Sequence, residues 1–421
     1  MRLASRLRLS VVALPLLSLA LLAQNPAPPV DMAMVAKIRD EGLRRAKVME
    51  TESYIADVLG ARLTLSDDMK RAQAWAKTEM ERIGLVNVVI EPFMDYGTTW
   101  DNEYTSLHMM TPDYQPMVGY PIAHTPGTSG KQTLKAVVAE IKTQADLETF
   151  RGRLAGLAVL MSAPATVDLK KIEAGTPRYT DEELKKINDA VPSAPAAAAP
   201  PAALNPDNVT ALERMRFFKG EGVAVVLQCD SGWMGAVRGY SRPGSGADKW
   251  SREETLASPA IVAINPEHYN RMYRILARGI PVTVEVEVRN RIGATVEKAN
   301  NVIGEIAGGD LKDEVVMIGA HFDTWHASPN ASDNTSGSAV MLEAMRILKA
   351  VGAKPRRTIR IALWAGEEQG LHGSTQYVAK HFGDPKSPQG VTPEYYTLSA
   401  YFNQDYGPGQ YRGIYLQGNE A

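Results

Sequence analysis

The sequence predicts a layered α/β domain interrupted by a mostly β block. Three observations lead there: a helix–glycine–strand succession near the start, a run of short β-rich segments between about residues 117 and 290, and a return of strand–helix alternation from Asn301. In the opening part, Ser66-Asp67-Asp68 supplies an N-cap and an acidic first turn. Ala72, Trp75, Ala76, Met80 and Ile83 then recur at helical spacing, and Gly84 supplies the stop. Val86-Asn87-Val88-Val89-Ile90 follows as a strand, so residues 24–116 read as the first part of the layered domain.

The middle, 117–290, reads as an inserted domain. Its strand candidates are Ala136–Ile141, Leu157–Met161, Val223–Leu227 and Val282–Val288. Between the second and third lies a Pro/Ala-rich stretch, 191–206, with no core-forming pattern, which predicts a surface loop. No tandem repeat is evident.

From 291 to 421 the α/β character returns. Val315–Ile318 is a buried strand running into Gly319-Ala320-His321, and Val340, Met341, Ala344, Ile347 and Leu348 mark a helix face. Thr358–Trp364 is a strand that leads to Gly366-Glu367-Glu368, and Ala400–Asp405 is another. Open α/β sheets collect functional residues at their strand ends, which is where these polar side chains fall.

Across 421 residues, 44% are hydrophobic and 22% charged, an ordinary globular composition with length for two or three domains. Lys and Arg total 46 against 48 Asp and Glu, so there is no basic excess of the kind a nucleic-acid surface needs. Arg2, Arg6 and Arg8 precede an apolar run from Leu9 to Ala23, and Gln24–Pro29 is polar and proline-rich. This is the pattern of a cleaved secretory signal over residues 1–23, with an apolar run shorter than the ~20 residues of a membrane span. It predicts a secreted or periplasmic protein with no stable membrane partner. The single cysteine, Cys229, follows an apolar run and reads as a small packed hydrophobe.

The polar residues at the strand ends are His321, Asp323, Asp333, Glu367, Glu368 and Asp405. An imidazole with several carboxylates suits zinc, manganese or cobalt. So many acids without an interleaved cation repel one another at low dielectric, and divalent ions relieve that repulsion. Asp333 stands just before a helix start, where its charge meets the positive helix end. Glu367 and Glu368, read as strand residues, point in opposite directions, one toward metal and one toward an attacking water. His326 and His372 lie near these motifs as candidate substrate contacts, whereas His381 has no such context.

Gly319-Ala320-His321-Phe322-Asp323-Thr324, Ser332-Asp333-Asn334, Ala365–Ser374 and Asn403-Gln404-Asp405 together resemble the M28 metallopeptidases in order and spacing. The resemblance extends to Asn300–Gly304 and Gly60–Ser66, the middle block is similar to a protease-associated domain, and among subgroups the chain resembles bacterial relatives of carboxypeptidase Q, while the single-domain aminopeptidases share the same motifs. It implies a three-layer α/β/α zinc-exopeptidase sandwich with a mixed sheet, a peptide substrate and two Zn2+ ions. By the resemblance, His321, Asp333 and Asp405 hold one ion, while Asp333 and Glu368 hold the other. Asp323 orients His321, and Glu367 is the general base. The family closes its second metal site with a later histidine, and Tyr406–Ala421 contains none; the expectation is a chain truncated before that ligand, of doubtful activity as it stands. An amidohydrolase acting on N-acyl amino acids and a non-catalytic, receptor-like protein of the same fold are the alternatives. The resemblance leaves amino- against carboxypeptidase specificity open, and a homodimer is compatible with it.

Overall fold

A computed structural model describes residues 30–166, 179–189, 205–230, 236–244, 246, 248–407, 409, 411 and 413–414. The expected leader, nearly all of the 191–206 loop and the chain end from 415 lie outside the described residues. In chain order the strands are β1 (Val86–Gly97), β2 (Trp100–Thr111), β3 (Gln115–Pro116), β4 (Gly119–Pro121), β5 (Gln132–Val138), β6 (Ala158–Leu160), β7 (Val225–Cys229), β8 (Ile261–Ile264), β9 (Thr283–Ile292), β10 (Glu297–Ile306), β11 (Leu311–His321), β12 (Arg357–Trp364) and β13 (Leu398–Asn403).

They form two mixed sheets. The first has the order β1-β10-β12-β11-β13 and the second β3-β2-β9-β5-β6-β7-β8-β4. In the first, β11 runs parallel to both β12 and β13, while β1 and β10 are antiparallel additions. Alternate residues of β12 feed the two faces: Ile361 and Leu363 join one core, Ala362 and Trp364 the other. Helices Asp67–Ile83 and Ser336–Ala350 cover the first face, and helix His372–His381 covers the second. The result is the expected three-layer α/β/α arrangement.

Helix Asp67–Ile83 shows how local sequence sets this up. The Ser66 hydroxyl accepts the Met69 N–H, and Gly84 closes the helix at φ 90°, a left-handed conformation that suits glycine. The helix buries Met69, Ala72, Ala76 and Met80, at about 1.5–3 kcal/mol for each methionine removed from water. A Cβ on Gly304 of β10 would lie 3.0 Å from Met80 Sδ, so glycine there lets helix and sheet approach closely.

The middle block departs from expectation in two ways. Its sheet begins at Trp100, before residue 117, because β2 pairs along its length with β9. It is also α/β rather than mostly β: β5, β6, β7 and β8 are mutually parallel, and parallel neighbours need crossovers. Helices such as Ala211–Gly220, with a Thr210–Glu213 capping box, supply them. The β-rich strands dominated the sequence pattern, while these short, polar helices carried little apolar periodicity. Among the described residues, no helix is long and apolar enough to cross a membrane.

Candidate metal centre

Because β11, β12 and β13 are parallel neighbours, their carboxyl ends lie side by side. His321 is in register with Trp364, and Gly319 with Asn403. The sheet alone therefore brings together His321, the 365–368 segment and Asp405, as open α/β sheets do at this edge. Asp333 arrives from the connection between β11 and helix Ser336–Ala350.

His321 is the centre of the group, with 3% of its surface exposed. Its Nδ1 lies 3.0 Å from the Asp323 carbonyl; a carbonyl only accepts, so Nδ1 carries the hydrogen and Nε2 is left facing the acids. Asp333 Oδ1 is 3.1 Å from Nε2, Asp405 Oδ1 3.2 Å and Glu367 Oε2 3.8 Å. Burial disfavours the imidazolium, but the bonds to Asp333 and Asp405, with the charges of Asp323 and Glu367, override it and push the ring up to about 11. Asp405 is correspondingly held below the usual carboxylate range by His321. The Ser338 hydroxyl anchors the His321 carbonyl at 2.8 Å.

Asp323 is fully buried, and its carboxylate faces the turn after β12 more than the histidine. Oδ1 accepts the Glu367 N–H at 3.2 Å, and Oδ2 accepts the Glu368 N–H and the Thr64 hydroxyl, both at 3.3 Å. Thr64 in turn accepts the Gly366 N–H at 3.0 Å. The Asp323 carboxylate is 3.8 Å from His321 Nδ1, so contact with the ring runs through the Asp323 backbone carbonyl. Strand β12 stops at Trp364, and Glu367 and Glu368 thus sit on a turn held from beneath, not on alternating strand positions. Burial, with neighbouring acids, raises both glutamates; for Glu368, Asp333 is the largest of those acids and the carboxyl reaches about 8.

Two residues that lie in the sequence motifs but take no role there complete the frame. Asn334, fully buried, donates through Nδ2 to the Gln404 carbonyl at 2.9 Å and accepts the Gly337 N–H at 3.0 Å. It thereby ties the Asp333 segment to the Asp405 segment. Arg62, also fully buried, donates to the Phe322 and Gly60 carbonyls and to the Thr335 hydroxyl at 2.6–2.7 Å. Burial lowers its guanidinium to about 10. In the sequence the Gly60–Ser66 segment stands out only as a motif; nothing in the one-dimensional pattern signals that Arg62 meets the chain just after β11.

Of the other histidines, His326 donates through Nε2 to the Pro121 carbonyl 2.7 Å away and packs edge-on to Trp100, against the second sheet. His372 meets Tyr96 edge-on. His381 lies between Glu91 and Glu394. Cys229 is half-buried, its thiol raised by burial.

One atom each from His321, Asp333 and Asp405 lie within 4.8 Å of one another. An imidazole Nε2 with its opposite nitrogen fixed, facing two carboxylates, is a donor set that fits zinc. Glu368 stands outside this close group among the described residues and is coupled to Asp333 through charge.

Comparison with known proteins adds to this geometry. Residues 301–418 match Peptidase family M28. Carboxypeptidase Q of Bos taurus is 23% identical over 342 residues, 81% of this chain and 62% of the relative. Carboxypeptidase Q of Mus musculus is 30% identical over 139 residues, 33% of this chain and 29% of the relative. The chain therefore spans less than two thirds of the length of these relatives. Among solved structures, a peptidase M28 precursor from Shewanella amazonensis superposes with a TM-score of 0.56 at 21% identity, covering 89% of this chain and 74% of that one. At that identity the similarity is one of fold.

Proposed function

We propose that this chain is an exported, zinc-dependent exopeptidase that removes terminal residues from peptides, a reading supported by the match of residues 301–418 to Peptidase family M28. The observation that supports this best is the convergence of His321, Asp333 and Asp405 around one point, with Glu367 Oε2 3.8 Å from His321 Nε2. In this reading His321, Asp333 and Asp405 hold one zinc ion, while Asp333 and Glu368 hold a second. Zinc held there would supply Lewis-acid polarisation of the peptide carbonyl and activation of water near neutral pH.

The chain's own residues do the rest. Glu367, raised by burial and by the acids around it, accepts a proton from the attacking water and delivers it to the leaving amine. Asp323 holds the turn so that the Glu367 and Glu368 carboxylates face the cluster. Asn334 fixes the distance between the Asp333 and Asp405 segments. Residues 1–23 act as the export leader, and the 100–292 unit is an inserted domain of the protease-associated type.

The test is Glu367→Gln, assayed on an unblocked tripeptide of three different residues with products weighed by mass spectrometry. Zinc content should be unchanged and turnover should fall by at least about 10²-fold, the range of general-base losses. Turnover near that of the parent protein removes Glu367 from the base role.

A further inference from the structure

Beside the 366–368 turn lies a second set of polar groups that the roles above leave unused. Gln369, buried, directly follows Glu368. Its Oε1 accepts the Tyr96 hydroxyl at 3.1 Å, and its carbonyl is 3.4 Å from Lys249 Nζ. Lys249 stands over the Trp250 ring, 4.8 Å from its centroid, and its charge also reaches His372. Tyr96 stacks on Trp250 and meets His372 edge-on, with centroids 6.4 and 5.7 Å apart. The Trp250 carbonyl accepts the Thr98 N–H at 3.0 Å, which fastens this segment to the passage from β1 to β2.

Five buried nitrogens here have no partner among the described residues: Gln369 Nε2, Trp250 Nε1, His372 Nε2 and both nitrogens of His124. His124 is 1% exposed, with its ring 4.6 Å from that of Trp250. Buried polar atoms are nearly always satisfied, so a concentration of orphans beside a reactive cluster points to a ligand. Gln369 Nε2 and Trp250 Nε1 can only donate, and Lys249 adds a positive charge whose own contacts are a carbonyl and a ring face. Donors and an ammonium group favour an anionic peptide end; a free amino terminus would be repelled.

We propose that Lys249, Gln369 and Trp250 form a subsite for a carboxylate on the leaving residue, first of all the free C-terminal carboxylate, so that the exopeptidase proposed above works from the carboxyl end. This inference rests on that reading of the metal centre. It also gives the Lys249-Trp250 segment, which belongs to the second sheet's unit, a direct part in substrate recognition.

The test uses zinc-loaded protein and ligands that a carboxypeptidase cannot cleave. Saturation-transfer NMR would compare leucine, leucinamide and glutamic acid α-amide, alongside Lys249→Met and Lys249→Arg. Leucine should bind about tenfold more tightly than leucinamide, as a charge-assisted contact implies. Lys249→Met should erase that preference with zinc content unchanged, and Lys249→Arg should restore part of it. Binding of glutamic acid α-amide on a par with leucine, and more tightly than leucinamide, supports the carboxylate subsite and shows that it also takes an acidic side chain. Equal binding of leucine and leucinamide, or a preference that survives Lys249→Met, overturns the proposal. Tripeptide turnover measured on the same samples separates the two readings: cleavage without carboxylate preference leaves the peptidase standing, and preference without cleavage does the reverse.

Discussion

Replacing Asp323 by asparagine tests whether this carboxylate holds the turn or orients the histidine. The carboxylate accepts the N–H groups of Glu367 and Glu368, one on each oxygen, in a fully buried position. An amide has only one oxygen. Whichever way the new amide is turned, its NH2 faces one of those backbone donors, and one buried N–H loses its acceptor. The penalty for such an orphan is about 1–3 kcal/mol of folding stability. If the turn shifts to avoid it, the Glu367 and Glu368 carboxylates move with it, and a displacement of about 1 Å at a reacting centre is worth roughly 10²-fold in rate. The His321 ring, meanwhile, is held through the Asp323 carbonyl, which the substitution leaves in place. Asp323→Asn should therefore lower the urea midpoint and the turnover number while the affinity for the first zinc ion stays within a factor of about three. Zinc affinity would be followed by competition with a chromophoric chelator. A large loss of zinc affinity with stability unchanged would refute this account and return the carboxylate to the role of orienting His321.

Other outcomes follow from the same geometry. If Asp333 is shared by two zinc ions as proposed, Asp333→Ala should remove both together, read by elemental analysis after dialysis; retention of either at full occupancy contradicts a shared ligand. A Cβ on Gly337 would overlap Asn334 Oδ1, so Gly337→Ala should break the tie between the Asp333 and Asp405 segments and lower zinc affinity more than it lowers the melting temperature. Burial, with Arg242 and His326 nearby, depresses His124 from 6.5 to about 3. The unfolded chain therefore takes up this proton first, and stability is full above pH 6.5 and falls as pH drops toward 3. At pH 5 this one group removes about 2 kcal/mol. Urea midpoints at pH 7.5 and 5.0 should differ by less in His124→Phe than in the parent; identical differences would rule out His124 as a source of acid sensitivity.

The sequence by itself determined which polar residues gather at the strand ends and which chemistry such a set suits. His321, Asp333, Glu367, Glu368 and Asp405 are legible because each falls at the end of an apolar run or just before a helix, and strand ends are where an α/β sheet exposes side chains. The Asp67–Ile83 helix was equally legible, since its cap, its apolar spacing and its glycine stop are all local. Tertiary structure decided the rest. That β11, β12 and β13 are parallel neighbours, in a register that sets His321 beside Trp364, is a property of the sheet and not of any segment. Asn334 and Gln404 are seventy positions apart and Arg62 and Thr335 farther still; such contacts leave no periodic trace along the chain. The helical crossovers of the second sheet were hidden for a related reason. Short polar helices bury few side chains, and only the parallel order of β5 to β8 requires them.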